Sequence, residues 1–126
     1  LIADPRCHQL FDGPGTVQGS ISGPVRLHLG AKFGMAMKIR LPYRITNTVV
    51  AFEDSRKISW CHLMKWTWSY QLEELANGNT RVTETFDARE IPFYAKQWLK
   101  LTGAMAHNPK WIAKSLVRLK AICETN

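Results

Sequence analysis

The sequence predicts an α+β fold, a curved antiparallel β-sheet wrapped around a long C-terminal α-helix. Three observations carry this. Apolar residues alternate with a period of two in repeated runs between Leu27 and Asp87. Short turns separate the runs, so successive strands form an antiparallel meander with one buried face. The last stretch changes to a helical period. Sheet and helix then enclose a space that side chains either fill or leave open.

Taken in order, "LIADPRCHQLFDGPGTVQGSISGP" reads as a short helical fragment broken at Pro5, then Gly/Pro-rich turns with "TVQGSI" as a strand between them. "KFGMAMKI" puts Phe33, Met35, Met37 and Ile39 on one face and Gly34, Ala36 and Lys38 on the other. "YRITNTVVAF" puts Tyr43, Ile45, Asn47, Val49 and Ala51 on one face. The turn Glu53-Asp54-Ser55-Arg56 leads into "ISWCHL", and the connection Leu63-Met64-Lys65 into "WTWSYQLE". The final strand, "TRVTETFD", follows a loop Ala76-Asn77-Gly78 with Gly at the left-handed position.

These turns predict registers. The second hairpin pairs Leu72 with Val82, Tyr70 with Glu84 and Trp68 with Phe86 on one face. On the other face it sets Glu73 against Arg81, Gln71 against Thr83 and Ser69 against Thr85. The first hairpin pairs Ala51 with Ile58, Val49 with Trp60 and Asn47 with His62, and leaves Trp60 to face Trp68 or Tyr70. Beyond the sheet, residues Phe93 to Leu101 are helical in pattern and carry Trp98. "NPKWIAKSLVRLKAICE" then opens a helix with Asn108 as N-cap and Pro109 at the first position. Ile112, Leu116, Leu119 and Cys123 share one of its faces, and Lys110, Lys114 and Arg118 another.

Composition sets limits. The 126 residues, 45% hydrophobic and 21% charged, form one globular domain spanning residues 1–126, with enough chain for a real core. No apolar run approaches the ~20 residues that cross a bilayer. The start Leu1-Ile2-Ala3-Asp4 has neither an initiator Met nor a signal-peptide pattern, so the chain reads as one whose beginning is missing. Cys7, Cys61 and Cys123 lack CxxC or metal spacing, which argues against a disulfide framework or zinc and for reduced thiols in a cytoplasm. No P-loop, GxGxxG or metal constellation is present, so neither cofactor nor metal is expected.

The net charge of +7 invites a nucleic-acid partner, and the best cluster is Lys110, Lys114 and Arg118 with Lys120 beside it. No nucleic-acid motif accompanies it, and cations near a helix C-terminus also complement the macrodipole, so that reading is set aside. Peripheral contact with an anionic membrane stays open, as does a homodimer.

The inward face gathers the candidates. Phe33, Met35, Met37, Ile45, Val49, Trp60, Trp68, Leu72, Val82 and Phe86 are apolar, and Asn47, His62, Tyr70 and Glu84 are scattered among them. An apolar wall with a few convergent polar groups is the usual form of a small-molecule site. The ligand-contacting set is Phe33, Met35, Met37, Asn47, Val49, Trp60, Trp68, Phe86 and Trp98, and the catalytic candidates are Glu84, Tyr70 and His62. A carboxylate on an inward position must be partnered or protonated. Glu84 is therefore a structural group held by Tyr70, an indole N–H and a water, a hydrogen-bond anchor for a ligand, or a general acid or base with a raised pKa. His62 lies about two strand spacings, ~10 Å, from Glu84, too far for a direct dyad. His107 belongs to the surface, while His8 and Cys7 fall in a frayed segment where nothing orients the imidazole for nucleophilic catalysis. Asp54 and Asp87 are turn and strand-end residues.

"VVAFEDSRKISW", "WTWSYQLEELANGNTRVTETFDA" and the terminal amphipathic helix resemble the polyketide cyclase/dehydrase-like branch of the START/birch-allergen (SRPBCC) helix-grip superfamily. "LIADPRCHQLFDGPGTV" is similar to the helical segment and strand that precede those blocks. The resemblance implies a helix-grip fold whose first strand, upstream of Leu1, is missing from the chain. It implies a hydrophobic small molecule or lipid held beneath the long helix, and in some members cyclisation or dehydration. Three readings follow: a binding module; a cyclase/dehydratase-type enzyme with Glu84 as acid/base and Tyr70 or His62 stabilising an enolate oxygen; or an interaction domain with a filled core that works through Lys110, Lys114 and Arg118.

Overall fold

Alternating segments joined by turns too short for a crossover favour neighbour-to-neighbour antiparallel pairing. The computed structural model describes residues 1–13, 15–38, 41–62, 65–89 and 91–124, the side chains of residues 21, 102 and 104–106 excepted. Its six-stranded sheet runs in chain order through β1 (Val17–Ser22), β2 (Lys32–Lys38), β3 (Pro42–Glu53), β4 (Lys57–His62), β5 (Thr67–Glu74) and β6 (Thr80–Asp87). Every neighbouring pair is antiparallel.

The β5–β6 hairpin has the expected register, with Leu72 opposite Val82, Tyr70 opposite Glu84 and Trp68 opposite Phe86. Its loop closes through Leu75 N–H to Asn79 O (2.7 Å) and Gly78 N–H to Leu75 O (3.0 Å), with Gly78 at φ 82°. In the first hairpin, Asn47 opposes His62 and Val49 opposes Trp60 as expected, but Ala51 does not meet Ile58. A β-bulge intervenes, so Ala51 opposes Ser59 and Phe52 opposes Ile58. The extra residue leaves Val50 exposed and turns Phe52 toward the core. Trp60 opposes Trp68 in register, and its ring packs against that of Tyr70, centroids 5.6 Å apart. Ile39 and the Leu63-Met64 part of the connection lie outside the described residues.

Pro5 opens the early helix instead of breaking it. Asp4 accepts the Arg6 N–H at 3.0 Å, Pro5 occupies a first turn that needs no N–H, and a 3₁₀ turn (Pro5–Cys7) runs into α1 (His8–Phe11). At the other end of the chain, α2 (Phe93–Thr102) stops at Gly103, whose φ of 69° lets its N–H reach the Leu99 and Lys100 carbonyls. α3 (Ala104–Glu124) starts directly after that corner, a turn earlier than expected. Asn108 is consequently a buried interior residue and not an N-cap, and Pro109 lies inside the helix. The inward stripe is Asn108, Ile112, Ser115, Leu119 and Ile122, while Cys123 is exposed. Among the described residues, no helix is long and apolar enough to cross a membrane.

A tight seam docks α1 onto α3. Gly13 N–H donates to Ser115 Oγ (2.8 Å), and Arg118 Nη1 donates to the Asp12 carbonyl (2.6 Å). Arg118 is exposed, as are Lys110 and Lys114, and also ties α3 to α1. A Cβ on Gly13 would stand 2.6 Å from both Lys114 Cβ and the Trp111 carbonyl, so only Gly permits this approach. Beneath the seam, Phe11, Leu27, Phe33, Val49, Ile58, Trp60, Tyr70 and Leu119 form the main core. A second cluster joins Trp66, Ile91, Ala95 and Leu99, with Trp68 and Phe86 packed on it.

Gly13→Ala is expected to destabilise the protein by about 1–3 kcal/mol, because the new methyl group forces helix backbone apart. Urea denaturation checks this; an unchanged midpoint would show that the seam yields at no cost.

Candidate functional site

The concave face is organised in rows of cross-strand partners. Val49, Trp60, Trp68 and Phe86 make one row across four strands. On one side of it lies the row Ile58–Tyr70–Glu84, on the other Phe33–Asn47–His62. α3 covers these rows unevenly. Its Leu119 enters the core, whereas Asn108, Trp111, Ile112 and Ser115 wall a cavity of about 510 Å³ together with the sheet and α2. That volume falls in the range of about 300–1,000 Å³ usual for small-molecule sites.

Of the expected ligand-contacting residues, Met35, Met37, Asn47, Trp60, Trp68, Phe86 and Trp98 line this cavity, as do Glu84, Tyr70 and His62. Phe33 and Val49 do not. Each is 1% exposed and packed within the core, sealed from the cavity by its neighbours. Leu72 and Val82, expected on the same wall, line a second hollow of about 880 Å³ instead. The sequence reading missed His8, Asp12, Asn108, Trp111 and Ser115. Placing Asn108 and Ser115 on the stripe with Ile112 and Leu119 would have revealed the helix side. Nothing local marks His8. All five tryptophans line the cavity.

Glu84 is its electrostatic centre. Tyr70 O–H donates to Glu84 Oε1 at 2.7 Å. Glu84 Oε2 is buried and has no hydrogen-bond partner among the described residues, and the same holds for Asn108 Nδ2. Burial pushes the Glu84 carboxyl up to about 7; the Tyr70 hydrogen bond opposes the rise and the Asp12 charge adds to it. Near neutral pH the group is thus divided between acid and carboxylate, able to give or take a proton. Burial, then the neighbouring Glu84, raises the Tyr70 phenol well above its ordinary value, so Tyr70 acts as a neutral donor. Burial also raises Asp12, against hydrogen bonds from Val17 N–H and Thr16.

Both histidines on the wall are neutral at pH 7. His62 stacks on Trp66 with centroids 4.1 Å apart, and burial lowers it to about 4. The register separates it from Glu84 by two strands and two rows, on the order of 16 Å along the sheet. This exceeds the ~10 Å that strand spacing alone implies. His8, assigned above to a frayed segment, is buried against Phe11, Phe33 and Trp60 and lowered to about 4 by that burial. Its Nε2 lies 2.8 Å from the Ile2 carbonyl, which only accepts, so Nε2 carries the proton. Among the described residues, no group of three His, Cys, Asp or Glu side chains could hold a metal ion.

No family model matches the chain. It is 38% identical over 122 residues to the uncharacterized protein Rv0088 of Mycobacterium tuberculosis and 37% identical to the uncharacterized protein MT0096 of another strain. Each alignment covers 94% of this chain and 54% of the relative, so the chain spans about half the length of the curated relatives it matches. The solution structure of an AHSA1-like protein from Aeromonas hydrophila superposes with a TM-score of 0.60 at 20% identity, over 96% of this chain and 81% of that one. A Staphylococcus aureus protein of unknown function gives 0.52 at 11% identity, over 85% and 75%. At these identities the likeness concerns architecture: the chain has the α+β helix-grip fold of the AHSA1-like structure.

Glu84→Gln reads the buried carboxyl directly. A folded value of about 7 against 4.5 means the folded state holds more protons between those limits, so the carboxyl's contribution to stability falls as pH rises through that window. The variant is expected to gain on the parent protein by about 1–2 kcal/mol from pH 4.5 to 7, less than full linkage because the group is partly exposed. His8 and His62 act in the opposite sense, losing stability as pH falls from 6.5 toward 4. They are common to both proteins and cancel in the difference. Paired thermal melts across this range are the check, and a flat difference would mean an ordinary carboxylate.

Proposed function

We propose that the protein binds a hydrophobic or aromatic small molecule or a lipid in the cavity between sheet and α3. One observation carries the reading. In a largely apolar, aromatic cavity, a carboxyl oxygen of Glu84 and the amide nitrogen of Asn108 are buried without partners among the described residues. Such atoms cost about 1–3 kcal/mol each when left unpaired, and a ligand hydroxyl or carbonyl would relieve that. Affinity would come from apolar burial, at ~25 cal/mol per Å² before ordering costs. Met35 and Met37 adapt to irregular shapes, Trp60, Trp68 and Phe86 are rigid walls, and Glu84, Tyr70, Asn47 and His62 orient the ligand. An interaction domain with a filled core is not adopted, because the space behind Trp60 and Trp68 is open.

The Glu84–Tyr70 pair favours a second reading, a cyclase/dehydratase-type enzyme of the polyketide cyclase/dehydrase-like kind. A carboxyl near pKa 7 is poised as general acid or base, and the Tyr70 hydroxyl beside it could steady a developing enolate oxygen by turning its single O–H from Glu84 Oε1. His62 is too distant to act on the same atom and would contact another part of the ligand.

Native mass spectrometry of the purified protein, followed by denaturing extraction, is expected to find an apolar adduct. Anilinonaphthalene sulfonate should bind with rising emission, and Met37→Trp, which fills the cavity, should weaken it at least tenfold while the melting temperature holds. A bare mass together with no dye binding would retire the reading. Turnover of a candidate substrate that vanishes in Glu84→Gln with the fold intact would establish the enzyme.

A further inference from the structure

α2 has two apolar faces, and the core needs only one. Ala95 and Leu99 are buried with Ile91 against Trp66. At 100° per residue, Phe93, Gln97, Leu101 and Tyr94 fall on the opposite side, and Trp98 on the flank between that side and the cavity. There Phe93 is 76%, Tyr94 61%, Trp98 41% and Leu101 83% exposed, which makes this face the largest concentration of exposed aromatic and aliphatic side chains on any helix described. Lys96 and Lys100, both exposed, lie along its edge next to Phe93. Residues 91–123 contain six Lys and Arg and no Asp or Glu. A convex apolar helix face bordered by lysines, with Tyr and Trp at its margin, has the chemistry of an interfacial helix.

We propose that this face of α2 docks the protein on an anionic lipid bilayer, with Phe93 and Leu101 entering the acyl boundary and Lys96 and Lys100 meeting the headgroups. Charge selects this occupant over a second copy. An isologous contact would bring Lys96 and Lys100 against themselves between two molecules of net charge +7. An anionic surface turns the same charges into attraction. Trp98 belongs both to this face and to the cavity wall, so docking would set the cavity beside the bilayer. That last consequence rests on the cavity reading; the docking itself does not.

The test is flotation of the protein with vesicles of phosphatidylcholine alone and of equal parts phosphatidylcholine and phosphatidylglycerol. Binding is expected to the anionic vesicles only and to weaken as salt is raised. Phe93→Ser with Leu101→Ser, and separately Lys96→Glu with Lys100→Glu, should each reduce it at least tenfold. Melting temperature and anilinonaphthalene sulfonate binding should stay unchanged, which separates failure of docking from failure of the cavity. No flotation, equal and salt-insensitive flotation with both vesicle types, or variants that bind like the parent would overturn the proposal. So would a concentration-dependent dimer, lost in Phe93→Ser/Leu101→Ser, in place of vesicle binding.

Discussion

The way α3 is attached is the constraint from which the cavity follows. The helix is held against α1 at the Asp12–Gly13 seam, against α2 around Gly103, and against β6. Its C-terminal half sinks Leu119 into the core, and its N-terminal half spans the aromatic rows without filling the space above them. A helix held by its flanks in this way cannot settle onto the middle of the sheet without breaking a buried hydrogen bond at Ser115. The cavity is therefore maintained by its rim. Local stability is given up at the place where a ligand would restore it, a pattern usual for functional sites.

The same arrangement explains why an acid is tolerated inside. Glu84 sits on an edge strand, facing inward but only partly covered, so its desolvation is incomplete. Tyr70 satisfies one oxygen and packs its ring against Phe11 and Trp60, fixing the phenol geometrically as well as electrically. Proton exchange at the other oxygen is then accessible near neutrality, because burial has pushed the carboxyl up to about 7. A Gln would hold the Tyr70 bond equally well but could not change charge.

Much of the sheet was legible because its signals are local. The Asn77-Gly78 turn dictates a loop, the loop dictates Tyr70 opposite Glu84, and inward burial of that pair follows from the pleat. The bulge before Ala51 was not legible: Val49, Val50 and Ala51 are all apolar, so nothing in their chemistry marks the extra residue. Asn108-Pro109 was misleading for a related reason. The dipeptide is a good helix start, but the Gly103 corner supplies an earlier one and buries the asparagine. His8, Phe33 and Val49 show the limit most plainly. Whether an inward side chain meets core or cavity depends on what packs over it from the other end of the chain, and alternation carries no record of that.

With all five tryptophans on one cavity, the protein's tryptophan fluorescence arises at the wall of that cavity. Trp60 lies close to His8 and Tyr70, Trp66 to His62, Trp68 to Phe86 and Trp111 to His107, so the indoles have distinct ring neighbours and distinct spectral environments. No indole elsewhere dilutes the signal with constant background. Emission maximum and lifetime therefore respond to what fills this one volume, and Trp98, half-exposed at its mouth, reports in addition on the medium outside.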